Sequence, residues 1–310
     1  MEKNNININT VLGPIATSSV KKVLCHEHIC CCLDYLNVMA GNAYLDKEKL
    51  ESHAVNELIR LREKYDLNLF VDCSPINLGR DIELLKSVSR KSGVHIVCSS
   101  GFYYTREALL NNLDADVIAE YIVLDAKKVN SGLLKSAVES DNIDAFHEKL
   151  LLAIAKAHLK LHLPICVHTD ARKRNGAKAA EILINAGVKP ECITIAHLSD
   201  TDDMNYILSI AKKGCYIGFD RMYDNRTITY INAKTDSILK LCSAGYEDKI
   251  LLSHDEVFFS GFQVKPDIGK AVIKETPRFH YVFDFILPNL DANLSDKLIR
   301  KNPLKMLTRK

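Results

Sequence analysis

Eight short, nearly continuous apolar runs alternate with helical stretches along this 310-residue chain, and that alternation constrains the fold more than any other feature. The runs are VLCHEH (23–28), LFVDCS (69–74), HIVCSSGF (95–102), GLLKSAV (132–138), PICVHT (164–169), CITIAHL (192–198), CYIGFD (215–220) and KILLSHD (249–255). Runs that do not alternate apolar with polar suit parallel strands covered on both faces. Amphipathic segments at 49–64, 145–161, 177–186 and 202–213 lie between them, with stop signals such as Ala186-Gly187 and Lys213-Gly214. The aromatic stretch 278–290 reads as the last barrel helix. Eight strand–helix units predict an α/β fold, a (β/α)8 TIM barrel, in one domain over residues 1–310. An open doubly wound sheet is the alternative, but no glycine-rich phosphate loop follows the first strand.

Composition narrows the partners. With 41 basic against 39 acidic side chains the net charge is +2, which argues against nucleic-acid binding. No run approaches the roughly 18 apolar residues of a membrane helix. The start, MEKNNININT, lacks the apolar core of an export signal, so the expectation is a cytoplasmic chain. Its ten cysteines then stay reduced. Cys30, Cys31 and Cys32 are adjacent and no Cys-x-x-Cys knuckles exist, so the thiols read as small buried hydrophobes. A nucleophilic role for Cys31 or Cys32 ranks below the use of the histidines as ligands.

In a barrel the active site gathers at the C-terminal ends of the strands. There the sequence places His26 and His28, Lys135, His168, His197 and Asp255. His26 and His28 are two residues apart and point to one side of their strand, while Glu27 points to the other and packs or pairs there. One histidine at a strand end is ordinary. Four with a carboxylate need partners, and a metal centre supplies them. Nitrogen and oxygen donors suit zinc, iron, cobalt or manganese without selecting among them.

TVLGPI (10–15), HEHI (26–29), VDCSP (71–75) with Gly79-Arg80-Asp81, GFYY (101–104), IAHLSDTDD (195–203), GFDR (218–221) and SHD (253–255) occur in that order. Over nearly its whole length the chain resembles the phosphotriesterase family of the amidohydrolase superfamily. It is most similar to the phosphotriesterase-like lactonases, with their Tyr after the third strand and Arg after the seventh. The resemblance implies a binuclear centre of two divalent transition ions, zinc by preference, with iron, cobalt or manganese as alternatives. His26, His28 and Asp255 would hold the more buried ion, and His168 and His197 the more exposed one. Lys135 would bridge them as N6-carboxylysine.

The same resemblance implies a hydrolase in which a metal-bridging hydroxide opens a lactone, with an N-acyl homoserine lactone as one candidate. A phosphorylated sugar lactone or a phosphotriester is the alternative substrate. A metal-stabilised binding protein is the non-enzymatic alternative. Asp255 would take the proton, Tyr103 would approach the hydroxide, and Arg221 would close the pocket. The family also favours a homodimer. Tyr104 would point away from Tyr103 if the chain stays extended there, and so reads as structural. Arg172, Lys173 and Arg174 form either a solvated run or a clamp for an anionic substrate group. Phe258, Phe259 and Phe262 would line an acyl channel or meet a second subunit, and Ser74 stands where the resemblance expects Thr.

Overall fold

The computed structural model describes residues 6–32, 41, 44–140, 142–222, 228–261 and 272–308. Each of the eight apolar runs forms a strand: β3 (Lys22–Cys31), β4 (Leu67–Asp72), β5 (His95–Gly101), β6 (Leu133–Val138), β7 (Ile165–Thr169), β8 (Ile193–Ile195), β9 (Tyr216–Phe219) and β10 (Ile250–Leu252). A short hairpin, β1 (Asn7–Thr10) and β2 (Gly13–Ala16), precedes them. Strands β3 to β10 lie side by side in sequence order, every neighbouring pair parallel. Beyond the eighth run, β11 (Val257–Ser260) adds a ninth parallel strand on the free side of β3, and β12 (Val272–Ile273) pairs with it antiparallel.

The two ends of the eight-strand run approach each other. Asp255 N donates to the His26 carbonyl at 3.0 Å and His26 N donates to Ser253 Oγ at 2.9 Å. The sheet is therefore curled, as a TIM-barrel-like fold requires.

Burial on both faces explains why the strand runs do not alternate. In β3 and β4, Val23, Cys25, Leu69 and Val71 join Val97, Leu133, Cys166 and Leu251 in one core, with Met306 and Leu307 against it. The intervening Leu24 and Phe70 face the other way, into the core shared with the helices.

Aspartates start those helices. Asp46, Asp81, Asp114, Asp144 and Asp203 each accept a hydrogen bond from a backbone N–H in the first turn of α1 (Lys47–Tyr65), α2 (Ile82–Ser92), α4 (Ala115–Val129), α5 (Ala145–Leu161) and α7 (Met204–Ala211). Such a cap contributes about 1 kcal/mol. The remaining helices are α3 (Ala108–Asn112), α6 (Gly176–Asn185), α8 (Ile228–Ser243), α9 (Ala292–Asp296) and α10 (Asn302–Leu307).

Within the aromatic stretch 278–290 the chain is helical over residues 281–289, and further short helices follow it. A wide turn over Val282–Ile286 passes into a tight one over Leu287–Asn289, where Pro288 has no N–H to continue the ladder. Asp291 then caps a new segment. All ten cysteines are free thiols, eight of them buried. No helix among the described residues is long and apolar enough to cross a membrane.

Candidate metal centre

The predicted residues meet at one end of the curled sheet. His26 and His28 lie on β3, Lys135 on β6 and His168 on β7, while His197 and Asp255 stand just beyond β8 and β10. The histidines and Lys135 are buried, and Asp255 is partly open. His26 Nε2 is 2.8 Å from Lys135 Nζ and 3.5 Å from Asp255 Oδ1, and His28 Nε2 is 3.0 Å from the same oxygen. On the far side, His168 Nδ1 lies 2.7 Å from His197 Nε2.

What the outer nitrogens touch decides what the inner ones can do. His28 Nδ1 meets Ser74 Oγ at 2.8 Å, and that hydroxyl donates to the Cys30 carbonyl, which leaves its oxygen to accept from the ring. His26 Nδ1 faces Asp220 Oδ2 at 2.5 Å. The other Asp220 oxygen accepts from His197 N at 2.7 Å and from His197 Nδ1 at 3.0 Å. His168 Nε2 faces Glu139 Oε2 at 2.6 Å. Each ring is thus anchored outward and presents its second nitrogen inward, the arrangement by which outer partners orient metal ligands.

The donor set fits cations. Burial lowers the pKa of His168 and holds that of His197 well below the usual value, so both rings are neutral. With their single protons directed to Glu139 and Asp220, two lone pairs face each other at 2.7 Å, which is unfavourable until a cation sits between them. His26, His28 and Asp255 bring three ligand atoms within 4.8 Å of one another. Burial raises the Asp255 carboxyl, but the Arg221 guanidinium beside it helps to hold the group well below the usual range. Asp220 behaves alike: burial raises it, and His197 and His26 bring it down. A softer donor group, His26 with Cys73 and Cys166, lies buried behind the first.

Backbone conformation marks the same place. His197 and Asp255 adopt φ of 66° and 51°, the left-handed region that residues with a Cβ rarely occupy. Such strain concentrates at functional sites.

A cavity of about 160 Å³ opens above these groups, lined by Tyr103, His168, Lys135, Asp255, His28 and Cys31 among others. Asn77 seats Tyr103, accepting from its backbone N–H at 2.7 Å. Burial pushes the Tyr103 hydroxyl well up, so it stays protonated. Arg221 forks between two carboxylates, Nε to Asp255 and a terminal nitrogen to Asp200, each at 2.8 Å.

Several expectations change. Tyr104 does not point away: β5 ends at Gly101, alternation lapses, and the Tyr103 and Tyr104 rings approach His168 to 5.2 and 5.8 Å. All three basic residues after β7 find partners within the chain, Lys173 in the Glu139 carbonyl, Arg174 in Asp203 and Arg172 in Asp170 at 3.7 Å. Phe258 and Phe259 do not line an open channel. Both are fully buried, Phe258 against Phe279 and Phe259 against Tyr44. Phe262 lies outside the described residues.

Sequence reasoning passed over Asp220, Glu139 and the task of Ser74. Only Asp220 carried a signal, as the acidic residue ending a strand within GFDR.

Comparison with known proteins follows the same lines. A sequence model of the phosphotriesterase family matches residues 6–307. The chain is 31% identical over 249 residues to an aryldialkylphosphatase of Saccharolobus solfataricus, 78% of each protein. It is 26% identical over 325 residues to a phosphotriesterase homology protein of Mycobacterium tuberculosis, 97% of this chain and 98% of that one. It is also 26% identical over 346 residues to the N-acetyltaurine hydrolase of Homo sapiens, 97% of each.

Proposed function

The chain belongs to the phosphotriesterase family, and from that premise we propose that this metal-dependent hydrolase opens the ring of a small lactone at a binuclear centre. The observation that carries the reading is the set of four histidines, each anchored outward and turned inward beside Lys135 and Asp255. His26, His28 and Asp255 would hold one ion, His168 and His197 the other, and Lys135 would lie between them as N6-carboxylysine. When bound, two divalent ions, zinc by preference and iron, cobalt or manganese otherwise, would supply Lewis acidity and a water acidified toward hydroxide at neutral pH.

The side chains do the rest. Asp255 is ionised at neutral pH, and as a water oxygen bonds the lactone carbonyl carbon and the ring C–O bond breaks, its carboxylate would take that water's proton and pass it to the departing ring oxygen. Arg221 fixes Asp255 against Asp200, so the acceptor is oriented before substrate arrives. Tyr103 keeps its proton and offers a hydrogen bond from the cavity wall to the substrate. The reading also takes the chain as one catalytic domain over residues 1–310, cytoplasmic and homodimeric.

A lactone panel followed by proton release tests the proposal. It should include acyl-homoserine and phosphorylated members, with a phosphotriester and an N-acyl aminosulfonate beside them. Turnover is expected on neutral lactones and lost in Lys135→Ala. Metal-replete protein inert toward every lactone would overturn the substrate class.

A further inference from the structure

No main-chain ladder closes the sheet where β10 meets β3. Among the described residues β10 ladders with β9, and β3 ladders with β4 and β11. Across the gap His26 N donates to Ser253 Oγ and Asp255 N to the His26 carbonyl; one step on, His28 N donates to the Glu256 carbonyl at 2.9 Å, where β3 begins to pair with β11. Glu27 sits in the middle of this seam, fully buried, on the side of β3 opposite the two histidines.

Its carboxyl group gathers the corner that follows β10. Oε1 accepts from Ser253 Oγ at 2.8 Å, His254 N at 3.0 Å and His254 Nδ1 at 2.7 Å, and Oε2 accepts from Glu256 N at 2.9 Å. The proton on His254 Nδ1 follows from its neighbour: Val282 N donates to His254 Nε2 at 3.0 Å, so that nitrogen carries none. The amides before and after Asp255 are therefore anchored to one carboxyl group. Asp255 between them takes φ 51° and swings its side chain to the opposite side, toward His28 and Arg221.

We propose that Glu27 is the positioning residue for Asp255: its carboxyl group builds the Ser253–Glu256 corner and so aims the Asp255 carboxylate into the candidate centre. The inference rests on the reading of Asp255 as a metal-facing carboxylate. It gives the middle residue of HEHI a task that neither packing nor ligation describes. Glu27 touches no inward-facing donor and acts only through the corner.

Glu27→Gln tests it, because the amide keeps the shape but turns an N–H toward a donor that had faced an oxygen. The metal-free variant is titrated with Zn2+ against a chromophoric chelator, and the Co2+-loaded protein gives a visible spectrum sensitive to ligand geometry. The expected result is a Zn2+ affinity about 10–100-fold lower, the range for lost support around a ligand. A shifted Co2+ spectrum and a kcat at least roughly tenfold lower, with KM within about twofold, should accompany it. Ser253→Ala should move the same readouts in the same direction by less.

Asp255→Asn separates the two ideas. Unchanged Zn2+ affinity in Asp255→Asn removes the reading of Asp255 and this inference with it. Weakened Zn2+ binding in Asp255→Asn, beside a folded Glu27→Gln with wild-type affinity and spectrum, overturns the Glu27 inference alone. Should Glu27→Gln fail to fold, Ser253→Ala with wild-type affinity and spectrum overturns it equally.

Discussion

Asp220→Asn exchanges one oxygen of a buried carboxylate for NH2 without altering its shape, and the surroundings dictate which oxygen is lost. One Asp220 oxygen serves two donors, His197 N and Nδ1, and the other serves only His26 Nδ1. The amide oxygen will keep the two donors, so NH2 faces a ring N–H at a separation of 2.5 Å in the native protein. His26 must surrender that hydrogen bond or move its proton to Nε2, the nitrogen turned toward Lys135 and Asp255. Losing a hydrogen bond to a charged group costs about 1.5–3 kcal/mol. Losing the partner that orients a metal ligand costs about 10–100-fold in affinity, or roughly 1.4–2.8 kcal/mol. The two ranges meet near 2 kcal/mol, about thirtyfold. Asp220 touches His26 and His197, one histidine for each of the two proposed ions, so both metal equivalents should weaken together. Competitive Zn2+ titration of the metal-free protein, with circular dichroism to verify folding, reads this directly. A folded Asp220→Asn that binds both equivalents within about threefold of the native protein would refute the argument.

Three further outcomes follow from the geometry. Arg221→Lys replaces a fork that spans Asp255 and Asp200 with a single ammonium, and kcat/KM is expected to fall by about tenfold in steady-state assays. Gly101→Ala places a Cβ 2.0 Å from the Lys135 carbonyl at φ 136°, and urea unfolding should show a loss of about 3 kcal/mol with disturbed metal uptake. Burial lowers the pKa of His158, whose ring donates to the Leu163 carbonyl, so below about pH 6.5 the unfolded chain takes up that proton first. Stability therefore falls as pH drops, and His158→Gln should make the decline of the urea midpoint between about pH 7 and 5 shallower.

The fold was largely legible because strands buried on both faces announce themselves locally. Each apolar run became a strand, and the segment 145–161 became α5 with the same bounds. The candidate ligands were legible for a related reason: they sit at strand ends, where chain order alone places them at one end of the sheet. Their supports were not. Asp220 meets His26 across 194 residues and Ser74 meets His28 across 46, and no local pattern encodes such meetings. The direction of Tyr104 hung on whether the strand continued, which the local pattern does not tell, and β5 stops at Gly101. The strand β11 hid within what read as a loop, since four residues that pair only with β3 and β12 carry too little pattern. The run Arg172, Lys173, Arg174 looked like one basic feature, yet its charges go to separate local partners.

Metal titration under turnover tests the central claim most directly. Divalent zinc is added stepwise to the metal-free, bicarbonate-supplied protein while lactone opening is followed by proton release. Negligible activity is expected without metal, with a rise that levels at two equivalents per chain and is absent in Lys135→Ala. Full activity in metal-free protein, or a plateau at one equivalent that Lys135→Ala also reaches, would contradict it.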